Sequence, residues 1–360
     1  MRFGGPHMSR SSFFLAATLI GAAAVSQPAA AQDFTTATFG GTTIWAGGGV
    51  QFLSLPDINF TAIGTPAAVT RQKNTQSDWL DFGGAGGAGI ETALGRWGGF
   101  EVAGSIEGFW ANVEDDHRVR CTSVTPNCLV IDPTGANVFA STTLNTKTDR
   151  EADYWGASAE LKFGTGAPQE VKPDVYRNDY FIVGFDVRGI DQDNSLRSTI
   201  GTVYTYSETL DTTYTGGYIG FGGEYSFGFV PVIGKMLKGG GGVYDRLGLR
   251  TYLNATAGFY NADTDYNGRF AGPRATALSL SKDEFAFIGT VSLETRKQIG
   301  TRTSLSLWTD YEYISSVPQM IYANGAGSAT RIDDDSVFAT RTMLRLNIGL
   351  GSQQLYPDQY

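Results

Sequence analysis

The sequence is poor in the residues on which most active sites depend. Only two histidines and two cysteines occur among 360 residues, and His117 is the single histidine beyond residue 31. An acid-paired histidine can act as a base, and Glu114, Asp115 and Asp116 lie beside His117. An active site needs a full constellation, however, and no Ser motif or matching Asp pair can be assigned to this histidine. We therefore expect no enzymatic activity and assign no catalytic residue.

Long apolar runs are also missing, apart from one near the N-terminus. Arg10 precedes an apolar run from Phe13 to Val25, which ends near the alanines 29–31. This pattern predicts a secretory signal peptide over residues 1–31, starting at Met1 or Met8, with an N-terminal periplasmic segment at 32–42. No later run reaches the roughly 18 apolar residues of a membrane-spanning helix. The mature chain is therefore expected to be a soluble domain or a membrane barrel.

Basic residues are scarce relative to acidic ones. Once Arg2 and Arg10 leave with the signal peptide, 25 Lys and Arg stand against 36 Asp and Glu, a formal charge of −11. Such a surface repels nucleic acid, so no nucleic-acid partner is expected. Abundant instead are glycine (47), phenylalanine (22) and tyrosine (17). With few Leu-, Lys- and Glu-rich helical stretches, this composition favours the barrel.

The two cysteines lie close together in a polar segment. Cys121 and Cys128 bound the sequence CTSVTPNC. In the oxidising environment that follows export, this spacing predicts a disulfide that closes a small loop. A CxxC metal site is excluded by the spacing and by the absence of partner ligands.

Polar and apolar residues alternate in segments from Gln32 onward. In the last segment, Leu344, Leu346 and Ile348 share one face while Arg341 and Arg345 share the other. About 9–11 tilted strand residues cross the hydrocarbon of a membrane, so the apolar face is predicted to meet lipid and the polar face an enclosed interior. The candidate strands are Thr43–Leu53, Asp78–Leu94, Gly98–Val113, Glu151–Gly164, Asp179–Ile190, Thr212–Phe227, a strand containing Leu247–Phe259, Asp283–Lys297, Arg302–Ser315 and Ser336–Gly351.

The connections between these strands alternate between short turns and long polar loops, as in outer-membrane barrels. We predict an all-β fold over residues 43–360, a transmembrane antiparallel up-and-down β-barrel with ten strands. Twelve strands remain an alternative, because two regions form either extra strands or hairpins above the membrane. These regions are Ser195–Glu208 and the pair of segments Cys128–Ile131 and Asn137–Thr142. The tryptophans at 45, 79, 97, 110 and 155 lie near predicted strand ends, where indole rings favour the headgroup level.

These features together resemble Gram-negative outer-membrane β-barrel proteins of the OmpA/Opa-like or porin-like kind. The resemblance rests on the signal-peptide pattern, the alternating strands, Gly-aromatic runs such as GGYIGFGGEYSFG and the amphipathic closing strand. It implies a place in the bacterial outer membrane, contact with its lipid and lipopolysaccharide, and insertion by the barrel-assembly machinery. Such chains usually end in an aromatic residue that closes the last strand. Here Pro357 interrupts the end, because proline cannot donate to a sheet, and leaves Tyr356 or Tyr360 as the assembly signal.

Two motifs with cofactor-like spacing are weak. Gly84–Gly89 matches GxGxxG, but no helix opens after it, so a dinucleotide site is not expected. Asp263, Asp265 and Asn267 have the spacing of a calcium loop, although Arg274 stands where a bidentate Glu is needed. They are a weak candidate metal site, or else a polar loop tip. No other cofactor is expected.

The inward positions of the predicted strands carry many charges. Eleven are acidic and six basic, and isolated buried charges are costly, so acids and bases should pair across strands or contact water. Folding the last two strands symmetrically about their loop sets Asp310 opposite Arg341. The excess of acids predicts that water or cations enter the lumen. The candidate functional constellation is Glu101, Glu107, Glu160, Asp186, Arg188, Glu224, Arg250, Glu284, Glu294, Arg296, Asp310, Glu312, Arg341 and Arg345.

Two functions from different classes follow. The first is a porin-like passive channel for small hydrophilic solutes or ions, with an acidic, weakly cation-preferring lumen. The second is a structural or surface-interaction (adhesin-like) barrel that acts through its extracellular loops. Barrel size does not decide between these two functions. The interior of an eight-stranded barrel is filled by side chains and that of a sixteen-stranded barrel is an aqueous channel, and ten strands lie between these cases.

Overall fold

The computed structural model describes residues 41–65, 68–71, 81–122, 127–135, 137–165, 169–172, 175–200, 202–226, 249–272, 274–300, 302–324 and 330–350. The predicted signal peptide, nearly all of the predicted periplasmic segment, Trp79 and the residues after 350 lie outside these ranges. Within them, no helix is long and apolar enough to cross a membrane.

The described chain is built from β-strands. In chain order they are β1 Thr42–Leu53, β2 Thr61–Thr65, β3 Ala68–Arg71, β4 Asp81–Trp97, β5 Phe100–Thr122, β6 Asn127–Ile131, β7 Val138–Ser141, β8 Thr143–Gly164, β9 Gln169–Lys172, β10 Val175–Ile200, β11 Thr202–Ser226, β12 Leu249–Ala271, β13 Thr276–Gly300, β14 Thr303–Ile321 and β15 Arg331–Leu350.

Ten long strands form one closed antiparallel wall. Each wall strand pairs with two others in the order β1–β4–β5–β8–β10–β11–β12–β13–β14–β15, and β15 returns to β1 with Gly47 opposite Arg345. The predicted ten-stranded up-and-down barrel is therefore confirmed, with the last strand closing onto the first. A closed wall leaves no long sheet edge unpaired, which removes a site of aggregation.

The segments that left twelve strands open do not add to the wall. Ser195–Glu208 continues β10 and β11 as one tall hairpin, with Ile200 opposite Thr202. Residues 127–131 and 138–141 form β6 and β7, which join β2 and β3 in a separate four-stranded sheet with the order β3-β2-β6-β7. We call this the inner sheet. The sequence did not predict β2 and β3.

A band of large apolar side chains covers the outward face of the wall. Phe285 is 83% exposed, and Phe259, Phe221, Leu344 and Leu346 are also exposed. Side chains of this size in water would be costly, whereas a membrane-spanning barrel presents such a band to lipid. Trp110 and Trp155 lie directly opposite each other on β5 and β8, and beyond them the outward residues become polar. We call this pair the Trp row and take it as the outer limit of the lipid-facing band.

Candidate functional site

The inward face of the wall is filled by side chains at three levels. The lowest level, at the height of the lipid-facing band, contains most of the predicted charges, and we call it the charge layer. An apolar layer lies above it, near the Trp row. The inner sheet and its core fill the outer mouth.

The predicted pairing of Asp310 with Arg341 is confirmed. The two residues are directly opposite on β14 and β15, and Arg341 Nη2 lies 2.6 Å from Asp310 Oδ2. The Arg341 backbone N–H also donates to Asp310 Oδ1 at 3.0 Å. The side chains are only 7% and 6% exposed. This close, doubly bonded geometry is what a buried ion pair needs to offset desolvation.

Further ion pairs and hydrogen bonds join other strands of the wall within the charge layer. Arg188 contacts Asp186 at 2.5 Å and also pairs with Glu312 from across the lumen. Glu160 accepts hydrogen bonds from Ser105 Oγ at 2.9 Å and Tyr218 Oη at 3.1 Å. Lys162 lies 3.2 Å from Glu160 and also pairs with Glu91. The inward charges therefore form a network rather than a row of isolated sites.

Most of the remaining predicted acids lie toward the ends of the wall, whereas Glu107 lies in the charge layer, level with Trp45. Three pairs are short-range: Glu294 with Arg296 at 2.9 Å, Glu284 with Lys282 at 2.8 Å, and Glu224 with Arg250. Glu101 pairs with Arg96 at 2.8 Å beside the β4–β5 turn, where the side chains are 26% and 73% exposed. Glu107 interacts electrostatically with Arg345 and Glu160.

Arg345 is held mainly by aromatic rings. Its guanidinium lies 3.9 Å from the centre of the Trp45 ring and 3.7 Å from that of Trp308. Arg341 similarly lies 3.5 Å from the Phe109 ring centre. Aromatic faces attract cations strongly where water is excluded. The predicted headgroup position of Trp45 is therefore wrong: Trp45 points into the lumen, because its ring stacks on an inward arginine.

Sequence reasoning missed three bases near the lumen, Arg96, Arg150 and Lys282. Arg150 is buried and lies 3.5 Å from Asp81. It was missed because the predicted fourth strand began at Glu151, whereas β8 begins at Thr143. Between Thr143 and Arg150 the side chains still alternate between the inward and outward faces, but the outward residues there are polar. The apolar–polar alternation that identifies a lipid-facing strand in the sequence is therefore missing.

The apolar layer crosses the entire lumen. Its buried side chains come from nine of the ten wall strands, all except β4, together with Leu55 after β1. Within it, Tyr214 of β11 donates a hydrogen bond to the Ser316 carbonyl oxygen of β14 at 2.8 Å. A water-filled passage would leave such inward side chains exposed. The layer consists of Leu53, Leu55, Val113, Ala152, Tyr154, Ile190, Tyr214, Tyr260, Ala262, Ala286, Ile288, Ile314, Val317, Val337 and Ala339.

The inner sheet is fastened to the wall above this layer. The predicted disulfide is confirmed and joins Cys121 at the end of β5 to Cys128 in β6. Arg71 of β3 donates from Nε to Asn324 Oδ1 at 3.1 Å and also contacts the Ala323 carbonyl oxygen. The Thr330 backbone N–H donates to the Pro133 carbonyl oxygen at 3.1 Å. These bonds tie the sheet to two separate parts of the outer mouth.

A buried carboxylate lies beside the inner sheet. Glu208 accepts hydrogen bonds from Tyr322 Oη at 2.6 Å, Asn194 Nδ2 at 3.1 Å and Tyr266 Oη at 3.3 Å. Burial raises the pKa of Glu208 despite these bonds, which favour the ionised form. Sequence reasoning did not single out Glu208, because it ends the segment Ser195–Glu208, which was left open between extra strands and a hairpin above the membrane.

The loop predicted at Asp263, Asp265 and Asn267 is a strand in the structure. Asp263, Asp265 and Asn267 lie inside β12, paired on both sides with β11 and β13. Their side chains share the outward face of an extended strand, which cannot wrap around an ion as a loop does. No group of three or more potential metal ligands occurs in the described ranges. Gly84–Gly89 lies within β4, and His117 lies in β5 opposite Thr148.

Comparisons found no matching protein-family model and no matching curated protein. Solved structures with similarity include the outer membrane protease OmpT from Escherichia coli, at 8% identity over 87% of this chain and 98% of that chain, with a TM-score of 0.43. A Pseudomonas aeruginosa FadL homologue has 9% identity over 86% and 91%, with a TM-score of 0.27. The translocator domain of the autotransporter NalP from Neisseria meningitidis has 12% identity over 86% and 88%, with a TM-score of 0.29.

Proposed function

We propose that this protein is an integral outer-membrane barrel that acts through its extracellular surface, as a structural or surface-interaction protein, and whose lumen does not pass solutes. The apolar layer carries this proposal, because its buried side chains come from nine wall strands and pack together inside the lumen. Hydrated solutes would have to cross buried tyrosine, isoleucine and valine side chains, which offer no replacement for lost hydration.

The charge layer supports the same function. A cation-preferring pore needs carboxylates that face water, whereas Asp310, Asp186 and Glu312 are buried and paired with arginines. Removing either partner would leave an uncompensated buried charge, so the network resists opening. The weakly cation-selective channel is therefore the less favoured function.

Displacing the inner sheet would not create a passage. The apolar layer beneath it consists mainly of side chains from the wall itself, such as Tyr214, Tyr260 and Ile288, which stay in place when a loop element moves. A channel gated by the inner sheet would instead need an open lumen below. The inner sheet is better suited to hold the outer mouth in one shape.

The extracellular part offers a preorganised surface. Strands β10 and β11 continue together to Ile200 and Thr202, well beyond the Trp row. The disulfide to β5 and the Arg71 contacts with the segment after β14 fix the inner sheet in the outer mouth. A surface that is rigid before binding loses less conformational entropy when a partner binds.

Liposome swelling tests the proposal. Purified protein is reconstituted and the vesicles are diluted into iso-osmotic arabinose, with protein-free vesicles as the baseline. We expect swelling no faster than the baseline, while heat-modifiable gel mobility shows that the barrel is folded and inserted. Swelling that rises in proportion to the amount of folded protein would contradict the closed lumen and restore the passive channel.

A further inference from the structure

Three cations form an in-register row on the outward face above the Trp row. Arg118 of β5 lies directly opposite Lys147 of β8, and Lys147 lies directly opposite Arg197 of β10. Arg118 and Arg197 are exposed, and the side chains of all three point away from the lumen. The Cβ atoms of directly paired residues on neighbouring strands lie about 5 Å apart, so the Cβ atoms of these three residues span about 10 Å. We call Arg118, Lys147 and Arg197 the cation row.

The cation row is incompletely neutralised by the protein. Lys147 pairs with Asp149, which lies on the side nearer the membrane. In the described part of the chain, neither Arg118 nor Arg197 has an ion-pair partner. Like charges directly opposite each other on adjacent strands are destabilising. An external anion at this position would relieve that repulsion and complete the charge pairing.

Carboxylates occupy the outward face between the Trp row and the cation row. Asp153, Asp191, Asp211 and Asp265 lie directly opposite one another on four successive strands. Asp116 and Asp149 form a further opposed pair immediately below the cation row. This acid band repels anions at the level of the lipid headgroups. A polyanion can therefore contact the wall favourably only higher up.

The distance of the cation row from the membrane determines which phosphate groups can reach it. Arg118 is eight residues beyond Trp110 on β5, which places it roughly 20 Å above the Trp row for a strand tilted by about 40°. Phosphates of the lipid anchor lie near the headgroup level and face the acid band. Phosphate groups carried on the saccharide core of lipopolysaccharide extend farther from the membrane and approach the wall from the side.

We propose that the cation row binds the phosphorylated core saccharide of lipopolysaccharide. The two guanidinium groups provide planar forks for bidentate phosphate binding, and Lys147 adds a point charge between them. The assignment rests on the outer-membrane placement in the proposed function. It gives that surface a ligand class and three residues that recognise it.

Binding of a lipid-free core oligosaccharide tests the assignment. The phosphorylated oligosaccharide is titrated into folded protein in a non-ionic detergent, with calorimetry as the readout. We expect wild-type protein to bind it and the double variant R118S/R197S to bind at least tenfold more weakly. The charge-matched control K297S/R302S changes exposed cations at the opposite rim and should keep wild-type affinity.

Several outcomes would overturn the proposal. These are absence of binding by folded wild-type protein, equal affinity for the oligosaccharide after chemical dephosphorylation, and equal losses in the two double variants. The row would be assigned to a different polyanion if heparin, or vesicles of the lipid anchor without core saccharide, bound more tightly than the oligosaccharide and lost that binding in R118S/R197S. Swelling reports on the lumen alone, so a failed proposed function and a failed ligand assignment give separate results.

Discussion

Asp310 and Arg341 are a buried ion pair on which the charge layer depends. We expect Asp310→Asn to lower the free energy of unfolding by about 3 kcal/mol, because it leaves the Arg341 guanidinium buried without its counter-charge. The midpoint of urea unfolding, followed by tryptophan fluorescence in detergent, measures this loss. The control is Glu101→Gln, which breaks the exposed pair with Arg96 and should cost about 0–1 kcal/mol. Equal losses in both variants would mean that the lumen is hydrated at Asp310.

Asp211 provides a pH-dependent test outside the lipid-facing band. Partial desolvation on the outward face, with the nearby carboxylates of Asp191, Asp193 and Asp265, raises the pKa of Asp211 from 3.8 to about 6. The folded protein therefore holds this proton more tightly than the unfolded chain, so this contribution to stability falls as pH rises from about 4 to 6. Asp211→Asn should raise the thermal unfolding temperature at pH 7.5 and have little effect at pH 4.

The matched control for Asp211 is Asp333→Asn on β15. The introduced amide would keep a side-chain oxygen to accept the Asp334 backbone N–H, which donates to Asp333 Oδ1 at 3.1 Å. The effect of this control on the unfolding temperature should be small at both pH values. A stabilisation of the Asp211 variant that does not change with pH would show that packing, rather than charge, is responsible.

At the scale of the strand, two adjacent glycines of β4 have different environments. A Cβ at Gly83 would overlap the Asn112 carbonyl oxygen of β5, whereas a Cβ at Gly84 would meet nothing within 4 Å. We expect Gly83→Ala to lower the yield of folded barrel several-fold, because β4 and β5 would have to separate locally. Gly84→Ala should fold like wild type. The folded fraction is read from heat-modifiable gel mobility after refolding, and an equal yield would contradict the close approach.

The disulfide acts between an element of the wall and the inner sheet. The double variant C121S/C128S removes a link that closes a short loop, worth about 2–3 kcal/mol by loop entropy. We expect faster protease cleavage of the extracellular part, with the lipid-facing band still protected. Reduced wild-type protein should match the variant. Unchanged cleavage would show that the Arg71 contacts alone hold the inner sheet.

The wall strands could be predicted because their outward positions are apolar where lipid faces them. Leu344, Leu346 and Ile348 alternate with Arg345 and make β15 recognisable from sequence. Even the register between Asp310 and Arg341 followed from the symmetry of a hairpin. The strand extensions were missed because residues such as Asp191 and Asp193 face water, so pairing continues after the apolar alternation ends.

The apolar layer could not be predicted by the same reasoning. Tyr214, Ile190 and Val337 lie on the inward face, which the sequence marks as polar through its charged residues elsewhere. Their convergence depends on ten strands curving into one ring, a property of the closed barrel rather than of any strand. The inner sheet is also nonlocal, because β2 pairs with β6 across more than sixty residues of chain.

At the scale of the whole molecule, the described parts combine into a barrel with three levels of filling. The charge layer lies within the lipid-facing band, the apolar layer closes the lumen near the Trp row, and the inner sheet fills the outer mouth. The outward face carries its own sequence of levels, from apolar side chains to the acid band and the cation row. Both faces favour a protein that acts at its surface over one that conducts through its centre.

Planar-bilayer recording tests the closed lumen most directly. Folded wild-type protein should insert without producing unit conductance steps. Stable, reproducible unit conductance from the wild-type protein, with cation preference, would contradict the account.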